Sequence, residues 1–379
     1  MSNVYITKAS TYLPNEPIAN DEMEQYLGLV NDKTSKARPL ILRNNGKKTR
    51  YYALDKDQKP THTNAEITAK AIEGLFDENF KKEDMELLSC GTTSADQIQP
   101  SHASMVHGVL KPGKSIGINT SMGLCNVGMN ALNYGFLSVK AGATENAICV
   151  GSERFSSWMT ADKFNHEVEN LKLLEEKPIV AFKREFLRWM LSDGAGAFLL
   201  QNKPREGAVN LKIEWIDFHS FAHDIAACMY AGGEKMEDGS LKAWSEFKAE
   251  EWQTESVFSL KQDVKILDEH ILIKGVESTK KALEKHGVAV DEIDYFLPHI
   301  SSMYFRERLY KEFVKQGLEI PKEKWFINLE EVGNVGSASI YLMLEALFHS
   351  GTLKKGDTIL LSVPESGRFS YAYAFLKVV

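Results

Sequence analysis

The sequence predicts an α/β fold made of two pseudo-symmetric halves, and three observations carry that prediction. Strand-like apolar runs alternate with helix-length amphipathic stretches, the pattern of βαβ units around a parallel or mixed sheet. Residues 118–142 (INTSMGLCNVGMNALNYGFLSVKAG) align without a gap on residues 327–351 (INLEEVGNVGSASIYLMLEALFHSG), at a constant offset of 209. The chain, at 379 residues, is long enough to hold two such units.

The elements follow in the same order in each half. Residues 65–76 (AEITAKAIEGLF) read as an amphipathic helix, and LLSCGTT as the strand after it. KSIGINT (114–120) reads as a second strand, then a turn, a buried helix and the strand AICVG (147–151). In the second half the helix is ESTKKALEKHG (277–287), and EIDYFLPHISS (292–302) repeats the strand and loop of residues 84–94 at an offset of 208. A turn, a buried helix and the strand TILLSV (358–363) complete it. Gly142 and Gly351 suit the left-handed position that ends a helix. The link QNKPREGAVN (201–210) is rich in Pro, Gly and charge, so the halves are expected at residues 1–205 and 206–379.

Composition narrows the function. Hydrophobic residues make up 43% and charged residues 26%, which is ordinary for a globular protein. A net charge of −7 argues against nucleic-acid binding, which needs a basic surface. No apolar run approaches the length of a membrane span, and MSNVYITKAS lacks the pattern of a secretory leader. A cytoplasmic protein without membrane insertion is expected. The four cysteines form no CxxC pair and no Cys/His zinc spacing, so free thiols and no metal site are expected. Cys90 and Cys149 sit inside strand-like runs and read as core, while Cys228 carries no signal. Cys125 alone stands between a strand and a helix, where it fits a nucleophile or a small buried hydrophobe equally well.

The repeat decides between those readings. It places Asn334 opposite Cys125, and His299 opposite Gly91. If the halves pack as mates, a Cys, a His and an Asn far apart in sequence converge, as a cysteine-nucleophile enzyme requires.

With those three residues in place, the chain resembles the β-ketoacyl-ACP synthase III branch of the thiolase-fold condensing enzymes. YLPNEPIANDEMEQYLG resembles the family's N-terminal segment, GTTSADQIQPS its TTSA loop, and SMGLCNVG its nucleophile turn. LSDGAGAFLL resembles the GDGAGA strand, LPHISSMYF the histidine motif, VGNVGSASI the asparagine motif, and ESGRFSYAYAFL the C-terminal Gly-rich segment. The resemblance implies a layered αβαβα fold with mixed five-stranded sheets and a ping-pong Claisen condensation. Cys125 would carry the acyl group, its thiol pKa lowered at a helix N-terminus. His299 and Asn334 would bind the second thioester's carbonyl as charge develops there. Backbone N–H groups of Cys125 and Gly367 would hold the acyl carbonyl. Gly128 would keep the helix start uncrowded or serve as a packing contact. No cofactor is implied, because the substrates arrive on the phosphopantetheine of an acyl carrier protein or CoA. Family members are homodimers.

Departures from the family pattern bear on substrate. Leu40 and Asn44 stand where CoA users carry a Trp and an Arg, which favours carrier-bound substrates. Lys47, Lys48, Arg50 and Arg306 are candidates to meet the phosphopantetheine or an acidic carrier surface. Ser302 replaces a family Asn beside the site, and Gln99 takes the place of a residue that closes the partner subunit's acyl pocket. Phe369 is a further pocket candidate. Residues 163–190 form an added segment beside the tunnel, the dimer contact or the carrier dock. The expected function is a ketosynthase for a malonyl- or β-ketoacyl-type partner in fatty-acid-like or specialised pathways, such as dialkylresorcinol or aryl-polyene synthesis. The alternatives are acyl transfer to an oxygen or nitrogen acceptor, and a non-catalytic partner subunit.

Overall fold

The computed structural model describes residues 2–36, 38–164 and 187–379. Nine strands form one hydrogen-bonded sheet: β1 (Tyr5–Tyr12), β2 (Leu87–Thr92), β3 (Gly117–Met122), β4 (Asn146–Glu153), β5 (Gly194–Gln201), β6 (Leu211–Ser220), β7 (Tyr295–Pro298), β8 (Thr358–Glu365) and β9 (Ser370–Val378). Their spatial order is β7-β8-β9-β6-β1-β5-β4-β2-β3. Two residue pairs, Tyr5–Lys212 and Ile6–Leu211, join β1 to β6, so the sheet is two units with a short seam. In the first unit β1, β5 and β4 run antiparallel, and β4, β2 and β3 run parallel. The second unit repeats this with β6, β9 and β8 antiparallel and β8 parallel to β7. Its fifth position is reduced to one parallel bridge, Phe296–Trp325. Pro321 and the 3-10 turn Lys322–Lys324 end any extended run just before Trp325, and the helical turn Leu329–Val332 follows it.

Six helices cover and divide these units: α1 (Asn64–Glu73), α2 (His102–Leu110), α3 (Val127–Ala141), α4 (Val264–His286), α5 (Tyr304–Lys315) and α6 (Ser339–Phe348). Local chemistry sets their ends. Thr63 and Glu66 form a reciprocal capping box at α1, and Asp263 accepts from the Lys265 and Ile266 N–H groups at α4. Gly142 and Gly287 end α3 and α4 with φ of 74° and 66°. Gly351 is left-handed too, but α6 closes earlier, at Phe348.

Three apolar clusters define five layers. Ile67 and Ile72 of α1 and Val106 of α2 pack on Leu88, Ile148 and Leu199. Met129, Leu132 and Phe136 of α3 meet Ile340, Tyr341 and Leu344 of α6 between the two sheet units, with Phe198 on one side and Leu361 on the other. Leu267 and Ile271 of α4 and Phe313 of α5 pack on Phe296, Leu360 and Tyr371. The succession is αβαβα, with α3 and α6 as the shared central layer. β2, β4 and most of β5 are buried along their length, as strands covered on both faces must be.

Close approach at the centre explains Gly128. A Cβ there would lie 2.3 Å from the Ser337 carbonyl oxygen, and one at Gly151 would lie 2.4 Å from the same atom. Gly128 is therefore a packing glycine that lets the two central helices start side by side. The Tyr341 hydroxyl donates to its carbonyl at 2.7 Å and locks the contact.

Candidate active site

Cys125 stands in the turn between β3 and α3, one residue before the N-cap Asn126, and is half-buried. His299 follows β7 directly; its backbone N–H donates to the Ser362 carbonyl of β8 at 2.8 Å. Asn334 lies in the turn before α6, bridged to Leu191, and its carbonyl accepts the Ser192 N–H at 2.9 Å. These three side chains line one cavity. Three elements from both halves therefore deliver the three residues that the repeat pairs in sequence.

Asn334 Oδ1 accepts the Gly336 N–H at 3.0 Å, which leaves Nδ2 as the donor without a partner among the described residues. His299 is 3% exposed, and its Nε2 is buried with no hydrogen-bond partner. Such an atom costs free energy unless a ligand satisfies it. Burial, assisted by the Lys47 charge, pulls the imidazole pKa down to about 4, so the ring is neutral at physiological pH. A neutral ring in its Nε2–H tautomer and an amide are two donors that can meet one carbonyl oxygen.

The cysteine departs from expectation. Burial, followed by the Glu365 and Glu153 carboxylates, pushes its thiol up to about 12. The helix N-terminus favours a thiolate, but here desolvation and two negative neighbours outweigh it. The Glu153 carboxylate is wholly buried. It accepts from Thr93 Oγ1 at 2.8 Å, Ser94 Oγ at 2.6 Å and the Ser337 N–H at 3.1 Å, tying the first-half loop to the asparagine turn. Burial raises its pKa against those hydrogen bonds.

Other assignments change in three dimensions. The Gly367 N–H donates to Glu365 Oε1 at 2.7 Å, so that donor is occupied in this state. Glu365 Oε2 accepts from Ser370 Oγ, which accepts from Asn126 Nδ2 at 2.8 Å. Phe369 is fully buried in the outer cluster and stands outside the cavity lining. Ser302 also lies outside it, its hydroxyl directed to the Asn44 carbonyl and the Tyr304 N–H; Ser301 lines the cavity instead. Gln99 is exposed, and Arg306 is half-buried on the first turn of α5.

Lys47 and Arg50 are not surface groups: they are 2% and 1% exposed. Arg50 meets the Asn20 side chain. Lys47 Nζ donates to the Met190 carbonyl at 2.5 Å and the Ser301 carbonyl at 2.9 Å. Burial, then the Arg50 charge, holds its pKa well below the ordinary lysine value. Lys48 remains exposed and pairs with Glu330. The added segment falls mostly at residues 165–186, outside the described residues, though Leu187 and Met190 at its end line the cavity.

A second, open cavity adjoins the first and shares Thr93, Leu124, Met229 and Leu260 with it. Its walls carry Trp158, Tyr230, Trp244, Trp252 and Phe258. Most of these come from the long β6–α4 connection, in which Trp244, Trp252 and Phe258 pack ring against ring.

Residues 283–376 match the family model for the 3-oxoacyl-[acyl-carrier-protein (ACP)] synthase III C terminal. A β-ketoacyl-[acyl-carrier-protein] synthase III of Clostridium novyi is 23% identical over 361 residues, 95% of each chain. The tetronic acid condensing enzyme AbyA1 superposes with a TM-score of 0.75 at 18% identity, covering 99% of both chains. Xanthomonas campestris OleA, in crystals with bound lauric acid and lauroyl-CoA, superposes with a TM-score of 0.72 at 22% identity, again over 99% of both. Among the described residues no helix is long and apolar enough to cross a membrane.

Proposed function

Proceeding from the chain's place among the thiolase-fold condensing enzymes that resemble β-ketoacyl-ACP synthase III, we propose that it joins an acyl group held on Cys125 to a second thioester. The observation that carries this reading is the single cavity shared by Cys125, His299 and Asn334. In the first half-reaction Cys125 attacks an acyl thioester; a C–S bond forms, the old C–S bond breaks, and the displaced thiol leaves with the cysteine proton. In the second, a malonyl- or β-ketoacyl-type thioester binds with its carbonyl oxygen on His299 Nε2 and Asn334 Nδ2. Those donors stabilise the enolate, formed by loss of CO2 from a malonyl-type partner or by passage of the acidic α-proton of a β-ketoacyl-type partner to water. The enolate carbon attacks the acyl carbonyl, and Cys125 departs as thiolate. No bound cofactor enters either step.

The substrates are read as carrier-protein thioesters, with CoA thioesters as the second source. Asn44, exposed beside the histidine loop, offers no stacking or charged clamp for an adenine. The aromatic cavity next to Leu124 suits a long or aryl-containing acyl group, as in dialkylresorcinol or aryl-polyene synthesis. The active assembly is read as a homodimer. Among the described residues β3 is an unpaired sheet edge bearing exposed Ile118 and Met122, and Tyr134 and Leu137 of α3 are exposed beside it. In that assembly Gln99, on the exposed loop before α2, is the residue placed to reach the partner.

The test is a condensation assay with paired acyl and malonyl thioesters, on carrier protein and on CoA, read by mass spectrometry of the products. A β-keto product from the wild type that is lost in Cys125→Ala supports the reading. Transfer to an oxygen or nitrogen acceptor without a new C–C bond contradicts it.

A further inference from the structure

The first half-reaction moves a proton from the Cys125 thiol to the displaced thiol, and a group of the protein has to carry it. Burial and two carboxylates push that thiol up to about 12, so the sulfur rests protonated. His299, Glu153 and Glu365 are the groups placed to take the proton: the first shares the cavity, and the charges of the other two act on the thiol. In its Nε2–H tautomer His299 is a donor, and its pKa of about 4 makes it a poor acceptor. The buried Glu153 carboxylate is already filled by the N–H and hydroxyl groups of Thr93 and Ser94 and by the Ser337 N–H.

Glu365 is held differently. It ends β8 directly opposite Ser370, the first residue of β9, and residues 366–369 turn between them. The Gly367 N–H donates to its Oε1 at 2.7 Å, and the Ser370 hydroxyl to its Oε2 at 3.0 Å. Ser370 Oγ in turn accepts from Nδ2 of Asn126, the residue after Cys125, at 2.8 Å. Gly367 itself packs on the residue before the cysteine, since a Cβ there would lie 2.8 Å from Leu124 Cδ1. Pro364 and Ser366, on either side of Glu365, line the same cavity as Cys125. A glutamate that only capped its own hairpin would have no link to the nucleophile turn. This one is joined to both flanks of it.

We propose that Glu365 is the proton carrier of the first half-reaction: it takes the Cys125 proton as the sulfur attacks, frees the Gly367 N–H for the new oxyanion, and passes the proton to the departing thiolate. The inference rests on the proposed role of Cys125 as nucleophile and adds the base that activates it. A carboxylate is too weak a base to hold a thiol proton in advance, so proton transfer and C–S bond formation coincide. Once protonated, Glu365 accepts the Gly367 N–H less strongly, because a hydrogen bond to a charged acceptor is roughly twice as strong as one to a neutral acceptor. The negative charge now sits on the thioester oxygen, and the N–H donates there instead. The C–S bond to the carrier then breaks, its sulfur takes the proton, and Glu365 is a carboxylate again.

The test separates two reactions of one sulfur. Alkylation by iodoacetamide follows the thiolate and needs no oxyanion donor. Acylation by a thioester needs both the proton carrier and the Gly367 N–H. Glu365→Gln should therefore alkylate faster than wild type yet acylate about 10²-fold more slowly, the usual lower bound for losing a positioned base. Rapid quenching followed by intact mass of the Cys125 adduct gives the acylation rate; run in H2O and D2O, it should show a normal solvent isotope effect in wild type that the variant loses. Glu365→Asp keeps the charge and shortens its reach, so it should alkylate like wild type and acylate more slowly. Acylation at the wild-type rate or faster in either variant would overturn the proton role and leave the carboxylate a mere obstruction. A parallel fall of alkylation and acylation would overturn it too, because it marks damage to the turn. No Cys125 adduct even in wild type would instead overturn the nucleophile assignment beneath it.

Discussion

The Glu365 carboxylate accepts the Gly367 backbone N–H at 2.7 Å, and so occupies a donor that the sequence assigns to the acyl oxyanion. The same carboxylate helps push the Cys125 thiol up to about 12. One side chain thus opposes both thiolate formation and oxyanion binding in the resting state. Glu365→Gln removes the negative charge and should lower the thiol pKa. Alkylation of Cys125 by iodoacetamide near pH 8 should then accelerate about three- to fourfold for each pKa unit recovered, because a less basic thiolate is more abundant but less nucleophilic. An alkylation–pH profile identical to wild type would show that the carboxylate does not govern the thiol.

His299 and Asn334 act on the second thioester and not on the first half-reaction. His299→Ala and Asn334→Ala should retain the acyl adduct on Cys125 while losing about 10²–10³-fold in condensation rate, the usual effect of deleting one oxyanion donor. Single-turnover kinetics with preloaded enzyme separate the two steps. Condensation at the wild-type rate in either variant would remove that residue from the mechanism.

Lys47 is a positioning residue for the histidine loop. Its ammonium group reaches the Ser301 carbonyl, two residues past His299, and its charge helps hold the ring neutral. Cys125 and Tyr371 share the cavity with His299, and Arg50 acts on Lys47 in turn. Lys47→Met removes a positive charge, so the His299 pKa rises and the acid limb of condensation moves toward neutral pH. Lys47→Arg should restore the limb in part. A fall in rate with no movement of the limb would make the role purely structural.

Burial of neutral His299 also links stability to pH. Its pKa is about 4 when folded, against an ordinary 6.5, so the unfolded chain binds the extra proton between those values. Stability from this group is full above 6.5 and declines as pH falls toward 4. The wild type should lose about 2 kcal/mol more than His299→Asn between pH 7 and pH 5. Denaturant titrations at the two pH values check the difference; equal losses would place the imidazole in contact with water.

The free edge at β3 predicts self-association. Met122→Asp puts a charge on an exposed apolar edge and should shift a dimer to monomer in sedimentation velocity. A wild-type monomer at micromolar concentration would contradict the dimer.

The sequence made some of this site legible and hid the rest for physical reasons. Cys125 and Asn334 stand opposite each other in a gapless repeat, so their convergence could be read before any coordinate was known. The alternation of strands and helices likewise exposed the layers. Lys47 lies in a basic run, where a lysine ordinarily faces solvent. Its burial depends on Met190 and Ser301, 143 and 254 residues away, and no local pattern records that. The thiol pKa failed for the same reason: the helix terminus beside Cys125 is local, while Glu365 and Glu153 come from elsewhere in the chain.

Intact-mass spectrometry of the protein with an acyl thioester, followed by a second thioester, tests the central claim most directly. The account predicts a mass increase of one acyl group, mapped to Cys125, absent from Cys125→Ala and discharged as a β-keto product when the second thioester is added. An adduct that persists in Cys125→Ala, or one on Cys125 that no second thioester discharges, would contradict it.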